Sequence, residues 1–201
     1  MQVTVIIPSR GDRPEFLKHL RSNILPSQTR QPDEVLIIDR PPLTSENDHK
    51  QRIREGILQA SGDLILFMED DDYYRKDYIE VMTDRWNGED LIGIDGTLYY
   101  NIVHDKWRFM KHHRRSSLFC TGIKREAAEK FPFKGKDIDI DLWRNLEGTL
   151  YPFDGLAIGI KHGIGKTGGI GHREDFCNNE GGKLHKWVDE VSHDFYYSFK
   201  K

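Results

Sequence analysis

Three short, almost unbroken apolar runs mark the first part of the chain: Val3 to Pro8, Glu34 to Asp39 and Leu64 to Met68. Runs that do not alternate with polar residues predict strands buried on both faces, the pattern of a parallel sheet. Between them the apolar spacing turns helical. Arg13-Pro14-Glu15 opens a helix carrying Phe16, Leu17, Leu20 and Ile24, with Pro14 tolerated in the first turn and Pro26 closing it. A second helix, capped by Asn47 or Asp48, presents Ile53, Ile57 and Ala60 inward and stops at Ser61-Gly62-Asp63. Strand and helix alternating in this way predict a right-handed, mainly parallel α/β sheet flanked by helices. Ligands bind such sheets beyond the carboxyl ends of the strands, where Arg10, Asp39 and the cluster Glu69-Asp70-Asp71-Asp72 all fall.

The second half is less regular. Thr97 to Val103 and Lys106 to Met110 predict a hairpin turning at His104-Asp105, and Ser117 to Gly122 a further strand before a helix from about Lys124. Ile138 to Leu146 has the spacing of a short helix, and Gly155 to Ile160 that of a late strand. Glycines 163, 165, 168, 169, 171, 181 and 182 predict a mobile loop over residues 161–182.

Composition narrows the class. A chain of 201 residues suits one domain, and 37% hydrophobic with 11% aromatic residues exceeds what a disordered chain carries. No apolar run approaches the ~20 residues that cross a bilayer, and the N-terminus lacks signal-peptide features, so a soluble, cytoplasmic protein without a transmembrane segment is expected. Cys120 and Cys177 have no zinc or disulfide spacing and are expected to be free thiols. A net charge of -3 gives no overall attraction to nucleic acid.

Four consecutive carboxylates behind a buried strand repel one another unless a cation or solvent compensates. A solvated acidic turn capping the next helix is the plainer explanation. The preceding strand and the polar ends of the two earlier strands favour a site for Mn2+ or Mg2+, which take oxygen ligands and leave positions for phosphates.

Val5-Ile6-Ile7-Pro8-Ser9-Arg10, Leu36-Ile37-Ile38-Asp39, Ala60-Ser61-Gly62-Asp63-Leu64-Ile65 and Phe67-Met68-Glu69-Asp70-Asp71-Asp72 resemble, in order and spacing, the signatures of family 2 glycosyltransferases. The resemblance is specific over residues 3–75 and weaker to 146. It implies the GT-A fold, a Rossmann-like nucleotide-sugar fold, in one domain: residues 1–95 for the donor and 96–201, with the glycine-rich loop, for the acceptor. It further implies hexosyl transfer with inversion, from a nucleoside-diphosphate sugar, a UDP-sugar favoured, to a hydroxyl of a glycan, a lipid head group or a hydroxymethylated DNA base. Pro8, Arg10 and Asp39 are then donor residues, and Arg52, Asp70, Lys161 and Lys166 join them. The metal falls to Asp71 and Asp72 with Glu69, which stands where the family often has Asp, and to His172 as a late ligand. Lys161, His162 and Lys166 are candidate cations for the leaving diphosphate, the alternative being a disordered surface loop whose charges are merely solvated.

By the same resemblance, Asp137-Ile138-Asp139-Ile140-Asp141-Leu142-Trp143 supplies the base that takes the acceptor proton. Its register indicates Asp139, with Asp137 the rival and helix capping the alternative task for either. Cations interleave with aromatics in Lys106-Trp107-Arg108-Phe109-Met110-Lys111-His112-His113-Arg114-Arg115, so Trp107, Arg108, Arg114, Arg115 and Trp143 are candidate acceptor contacts. Alternation on a hairpin with one wet face is the simpler reading. Gly163-Ile164-Gly165-Lys166-Thr167 lacks the first glycine and the strand-to-helix setting of a phosphate loop. Nucleotidyl transfer, or nucleotide-sugar or polyanion binding without catalysis, are the alternatives.

Overall fold

The computed structural model describes residues 1–41, 48–135, 137–164 and 176–200. The first three apolar runs form β1 (Val3–Ser9), β2 (Glu34–Asp39) and β3 (Leu64–Phe67), all parallel, with β1 between the other two. Beyond β3 the sheet continues through β8 (Thr121–Lys124), β5 (Leu91–Asp95) and β9 (Gly148–Pro152). Strand β8 is antiparallel to both neighbours and β9 parallel to β5, so only β8 runs against the rest. Successive side chains of a strand point to opposite faces. Val3, Val5, Ile7, Leu64 and Leu66 accordingly enter one core, whereas Ile6, Ile65 and Phe67 enter a second core with Ile53 and Ile57. Burial on both sides is why β1 and β3 read as unbroken apolar runs, whereas β2, at the sheet edge, departs from that expectation and is mostly only partly buried, with Val35 and Asp39 exposed.

Helix α1 (Pro14–His19) continues into a π-helical turn over Leu20–Ile24, and α2 (Asp48–Gln59) packs against β1. At Gly56 a Cβ would lie 2.5 Å from Cγ2 of Ile6, so that helix lies too close to the strand for any side chain there. A second sheet, ordered β11-β7-β6-β10-β4, comprises β4 (Tyr73–Tyr74), β6 (Thr97–Asn101), β7 (Lys106–Met110), β10 (Ala157–Lys161) and β11 (Asn179–Glu180). Helices α3 (Tyr78–Arg85), α4 (Arg125–Lys130), α5 (Ile138–Asn145) and α6 (Glu190–Tyr197) complete the described fold. None of its helices is long and apolar enough to cross a membrane.

Two expectations are corrected. Leu118–Cys120 is a 3-10 turn, so the strand expected over Ser117 to Gly122 begins at Thr121. The segment 161–182 is not loop throughout: Lys161 ends β10, Phe176 and Cys177 are buried, and Asn179 pairs with Trp107. Residues 165–175, including Lys166 and His172, lie outside the described residues.

Asp105, in left-handed backbone (φ 48°) at the tip of the β6–β7 hairpin, ties down the C-terminal region. Its Oδ1 accepts from the hydroxyls of Tyr100 and Tyr197 and the amide of Gly182, and its Oδ2 from Lys200 Nζ at 2.9 Å. Burial opposes the charge, but Tyr100, Lys200, Gly182 and Tyr197 outweigh it and hold the carboxyl well below the usual range. A depressed folded pKa gives stability that is present above the unfolded value, about 3.9, and lost as pH falls through the folded one. Asparagine tolerates the left-handed region, so Asp105→Asn isolates the charge. Denaturant melts are expected to show a loss of about 1–3 kcal/mol at pH 7 that shrinks progressively below about pH 4. An equal loss at pH 7 and pH 2 would rule out the carboxylate charge as its source.

Candidate active site

The parallel register aligns the strand ends: Ser9 lies beside Asp39, and Ile6 beside Phe67, two residues before Glu69. Arg10 and Asp39 come together with Gly11, Asp12, Arg40 and Pro41 around a cleft of about 310 Å³. Arg10 is half-buried and 3.4 Å from Asp12, whereas the Asp39 side chain is exposed. Pro8 is buried within β1, opposite Ile38.

Arg52 has a different task from the one expected. Its side chain is fully buried, and its guanidinium donates to the carbonyls of Ser9, Ile38 and Pro41 and to Asp48. Arg52 therefore clamps the ends of β1 and β2 from below and presents no face to the cleft. Buried carbonyls at strand ends need such donors, and five N–H groups in a rigid fork supply them.

Beyond β3 the chain turns sharply, with Asp72 N donating to Glu69 O at 3.4 Å. The turn gathers Glu69, Asp71 and Asp72 so that one ligand oxygen of each lies within 4.8 Å of the others. It does not cap the following helix. Asp70, Asp71 and Asp72 are buried, Tyr73–Tyr74 pairs with β10, and α3 starts only at Tyr78 behind Asp77.

Each of the three aspartates is anchored through one oxygen. Asp70 Oδ1 accepts from Arg13 at 2.7 Å; Asp71 Oδ2 accepts from Arg13 at 2.5 Å and from His162 Nε2 at 3.0 Å; Asp72 Oδ1 accepts from Ile160 N at 2.8 Å. The other oxygen of each is buried without a hydrogen-bond partner among the described residues. Lys161 Nζ stands 3.8 Å from Asp72 and 5.4 Å above the centre of the Tyr99 ring. The amide of Ile164 donates to His162 Nδ1, leaving Nε2 to carry the proton given to Asp71.

Electrostatics separates the acids. Burial pushes Asp70 up to about 6 in spite of Arg13, and raises Asp72 well above the carboxylate range against the pull of Lys161. Burial opposes ionisation of Asp71 too, but His162, Arg13 and Lys161 outweigh it and hold Asp71 well below that range. Burial disfavours the Lys161 charge, but Asp72, Asp71 and Glu69 outweigh it and raise its pKa. A divalent cation fits this site: one oxygen of each of Glu69, Asp71 and Asp72 lies within 4.8 Å of the others, Asp71 and Asp72 each keep an oxygen without a partner among the described residues, and the cation's charge relieves the cost of the buried carboxylates. Arg13 is an addition to the residues expected, and a cation just beyond Arg10 in the same loop was the available signal; His162, expected among the cations for the diphosphate, is bonded to Asp71.

The N-terminus of α2 links the acidic turn to the segment before α5. His49 Nε2 lies 3.8 Å from Glu69, and Lys50 donates to the carbonyl of Gly135 at 3.0 Å. The three aspartates beyond divide. Asp141 accepts from Gly135 N at 2.7 Å, Asp137 is exposed at the N-cap without a capping hydrogen bond, and Asp139 pairs with Arg115. Burial raises the Asp139 carboxyl, outweighing Arg115.

The basic hairpin offers less than its sequence suggests. Arg108 donates to Phe176 O and covers its ring, Arg115 holds Asp139, and Trp143 Nε1 donates to Thr121 at 3.2 Å. Trp107 packs against Trp187, and only the Arg114 side chain of the acceptor candidates is exposed.

A family model described as glycosyl transferase family 2 matches residues 42–138, reaching further along the chain than the first strand signatures. No curated protein matches the sequence. The fold is similar to that of S. aureus TarS, with a TM-score of 0.58 and 12% identity over 81% of this chain and 37% of that one. It is also similar to S. aureus TarS 1-349 in complex with UDP-GlcNAc, with a TM-score of 0.58 and 14% identity over 86% of this chain and 61% of that one. This chain thus spans less than two thirds of either structure, and at such identity the likeness speaks for the fold. The matched segment, a little under half of the chain, contains the acidic turn, β8 and the approach to α5; over that segment the chain is similar to glycosyl transferase family 2, and its architecture is of the GT-A type.

Proposed function

We propose that the chain is a metal-dependent, inverting glycosyltransferase that moves a hexose from a nucleoside-diphosphate sugar to an acceptor hydroxyl. The observation that carries this reading is the acidic turn, where Asp71 and Asp72 each hold one oxygen fixed and one free beside Glu69, at the carboxyl edge of the sheet. Residues 1–95 are assigned to the donor and 96–201 to the acceptor, with Lys161 and His162 crossing over to the acidic turn. Asp71, Asp72 and Glu69 are the residues to hold Mn2+ or Mg2+, which would neutralise the diphosphate and ease its departure. Arg10 and Asp39 bracket the nucleoside in the cleft between β1 and β2, and Asp70 fixes Arg13. Lys161 brings a fixed positive charge to the leaving diphosphate. Asp139, steadied by Arg115, takes the acceptor proton. The acceptor oxygen bonds to the anomeric carbon as the bond to the diphosphate breaks, its electron pair leaving with the diphosphate.

A uridine donor is the first to test, since a structure of similar fold was solved with UDP-GlcNAc. A glycan acceptor is favoured over a polyanion because Arg108 and Arg115 are already engaged. A nucleotide-sugar donor and two buried free thiols, Cys120 and Cys177, suit a cytoplasmic setting.

Mn2+ or Mg2+ together with UDP is expected to raise the melting temperature by about 5 °C or more at saturating ligand. Incubation with UDP-sugars is expected to release UDP. No metal-dependent shift with UDP or GDP would sink the reading, and release of pyrophosphate from nucleoside triphosphates would replace it with nucleotidyl transfer.

A further inference from the structure

A second cleft, of about 590 Å³, opens at the carboxyl ends of β5 and β9 and contains none of the residues assigned above to metal, nucleoside or base. Two aromatic pairs form its walls: Trp107 with Trp187, ring centres 5.2 Å apart, and Phe109 with Phe153, 5.1 Å apart. Phe109 seats its ring against Gly96, where a Cβ would come within 2.5 Å, and is still 42% exposed. Strand alternation puts Trp107 and Phe109 on one face of β7 and Arg108 on the other. Arg108 is paired with Tyr99, the ring beneath Lys161, so the aromatic cleft lies on the far side of the hairpin from the acidic turn.

Polar atoms define what this cleft takes. Trp107 Nε1, a donor, and Asp95 Oδ1, an acceptor, are buried without a hydrogen-bond partner among the described residues. Lys111 Nζ lies 3.8 Å from the other oxygen of Asp95, so the rim carries one charge of each sign. Apolar ligands leave both unpaired atoms unpaired, and a polyanion gains little from a rim without net charge. A sugar ring meets both needs: its C–H faces lie on aromatic rings, and each hydroxyl donates and accepts. Both atoms are buried, so engagement goes with a side-chain rearrangement at the rim, where Phe109 is exposed.

We propose that this cleft is a saccharide-binding subsite that holds a glycan chain away from the point of transfer. Its use in acceptor binding rests on the transferase reading, whereas binding of a saccharide does not. Tryptophan fluorescence titrations with cellotriose, maltotriose and chitotriose test it, because Trp107 and Trp187 line the cleft. At least one trisaccharide is expected to give a saturable change below about 10 mM, weakened about tenfold or more by both Asp95→Ala and Trp107→Phe. Circular dichroism establishes that the variants are folded, and Trp107→Phe keeps an aromatic ring in place while removing the indole N–H and part of the stacking face, with Trp187 left as the reporter. Asp71→Asn is expected to bind the same trisaccharide as the wild type does, even though it loses the response to metal and UDP. Three outcomes would each overturn the proposal: no saturable change with any of the three, unchanged binding in folded Asp95→Ala and Trp107→Phe, or a saturable response to 1-octanol alone. An intact metal and UDP response with no trisaccharide binding removes the subsite and leaves the transferase reading standing.

Discussion

Asp71→Asn is expected to abolish the thermal response to metal and UDP and to lower sugar transfer by about 10²- to 10³-fold, as loss of several kcal/mol of charge stabilisation implies. The reason lies in the division of labour between its two oxygens. Oδ2 accepts from Arg13 and from His162, whereas Oδ1 has no partner among the described residues. An asparagine can keep its oxygen toward those two donors, which turns its amide group toward the place of the free oxygen. An amide N–H does not ligate a hard cation. The substitution therefore keeps the anchoring oxygen and removes the ligand; because it also removes a charge held by Arg13 and His162, the metal response is read as each protein's own shift on adding Mn2+ and UDP. Retention of the full shift with Mn2+ and UDP would remove Asp71 from the metal site.

Asp139→Asn should lower kcat by about 10²- to 10⁴-fold, the range contributed by a general base, with little change in the metal and UDP response. Asp137→Asn, at the exposed N-cap, is expected to stay within a few-fold of wild type. A base works when deprotonated, so kcat/KM of the wild type should fall as pH drops through the Asp139 pKa. Burial raises that value, so the acid limb should lie above the ordinary aspartate range. Asp139→Asn should flatten the limb. The reverse ranking, with Asp137→Asn the damaging change, would transfer the role to Asp137.

Several elements were legible because their periodicity is local. The runs at Val3, Glu34 and Leu64 became β1, β2 and β3, and the helix expected to about Ala60 ends at Gln59 with Ile53 and Ile57 inward. Other elements carry no such pattern. Strand β9 starts with Gly148, ends with Pro152 and lies at the sheet edge, where β5 is its one neighbour among the described residues; none of its residues is fully buried, so it carries no apolar stripe to read. Helix α6 is Glu190-Val191-Ser192-His193-Asp194-Phe195-Tyr196-Tyr197, poor in strong helix formers. Tertiary contacts hold it: Tyr196 is buried, and Phe195 stacks on His19 with ring centres 4.0 Å apart.

For the site, the sequence alone determined that four carboxylates follow a buried strand, and that Arg10 and Asp39 stand at the ends of the two strands before it. Parallel strands must bring such residues to one edge, so their proximity follows from local pattern and topology. Which oxygen is free was decided only by the tertiary structure. Arg13 meets Asp71 across 58 positions of sequence and His162 across 91, while Arg52, a donor candidate by sequence, is drawn under the strand ends instead. Contacts of this kind depend on strand register, the packing of one element on another and the cost of leaving buried polar atoms unpaired. Those quantities come into being when the chain closes on itself, and no window of neighbouring residues contains them.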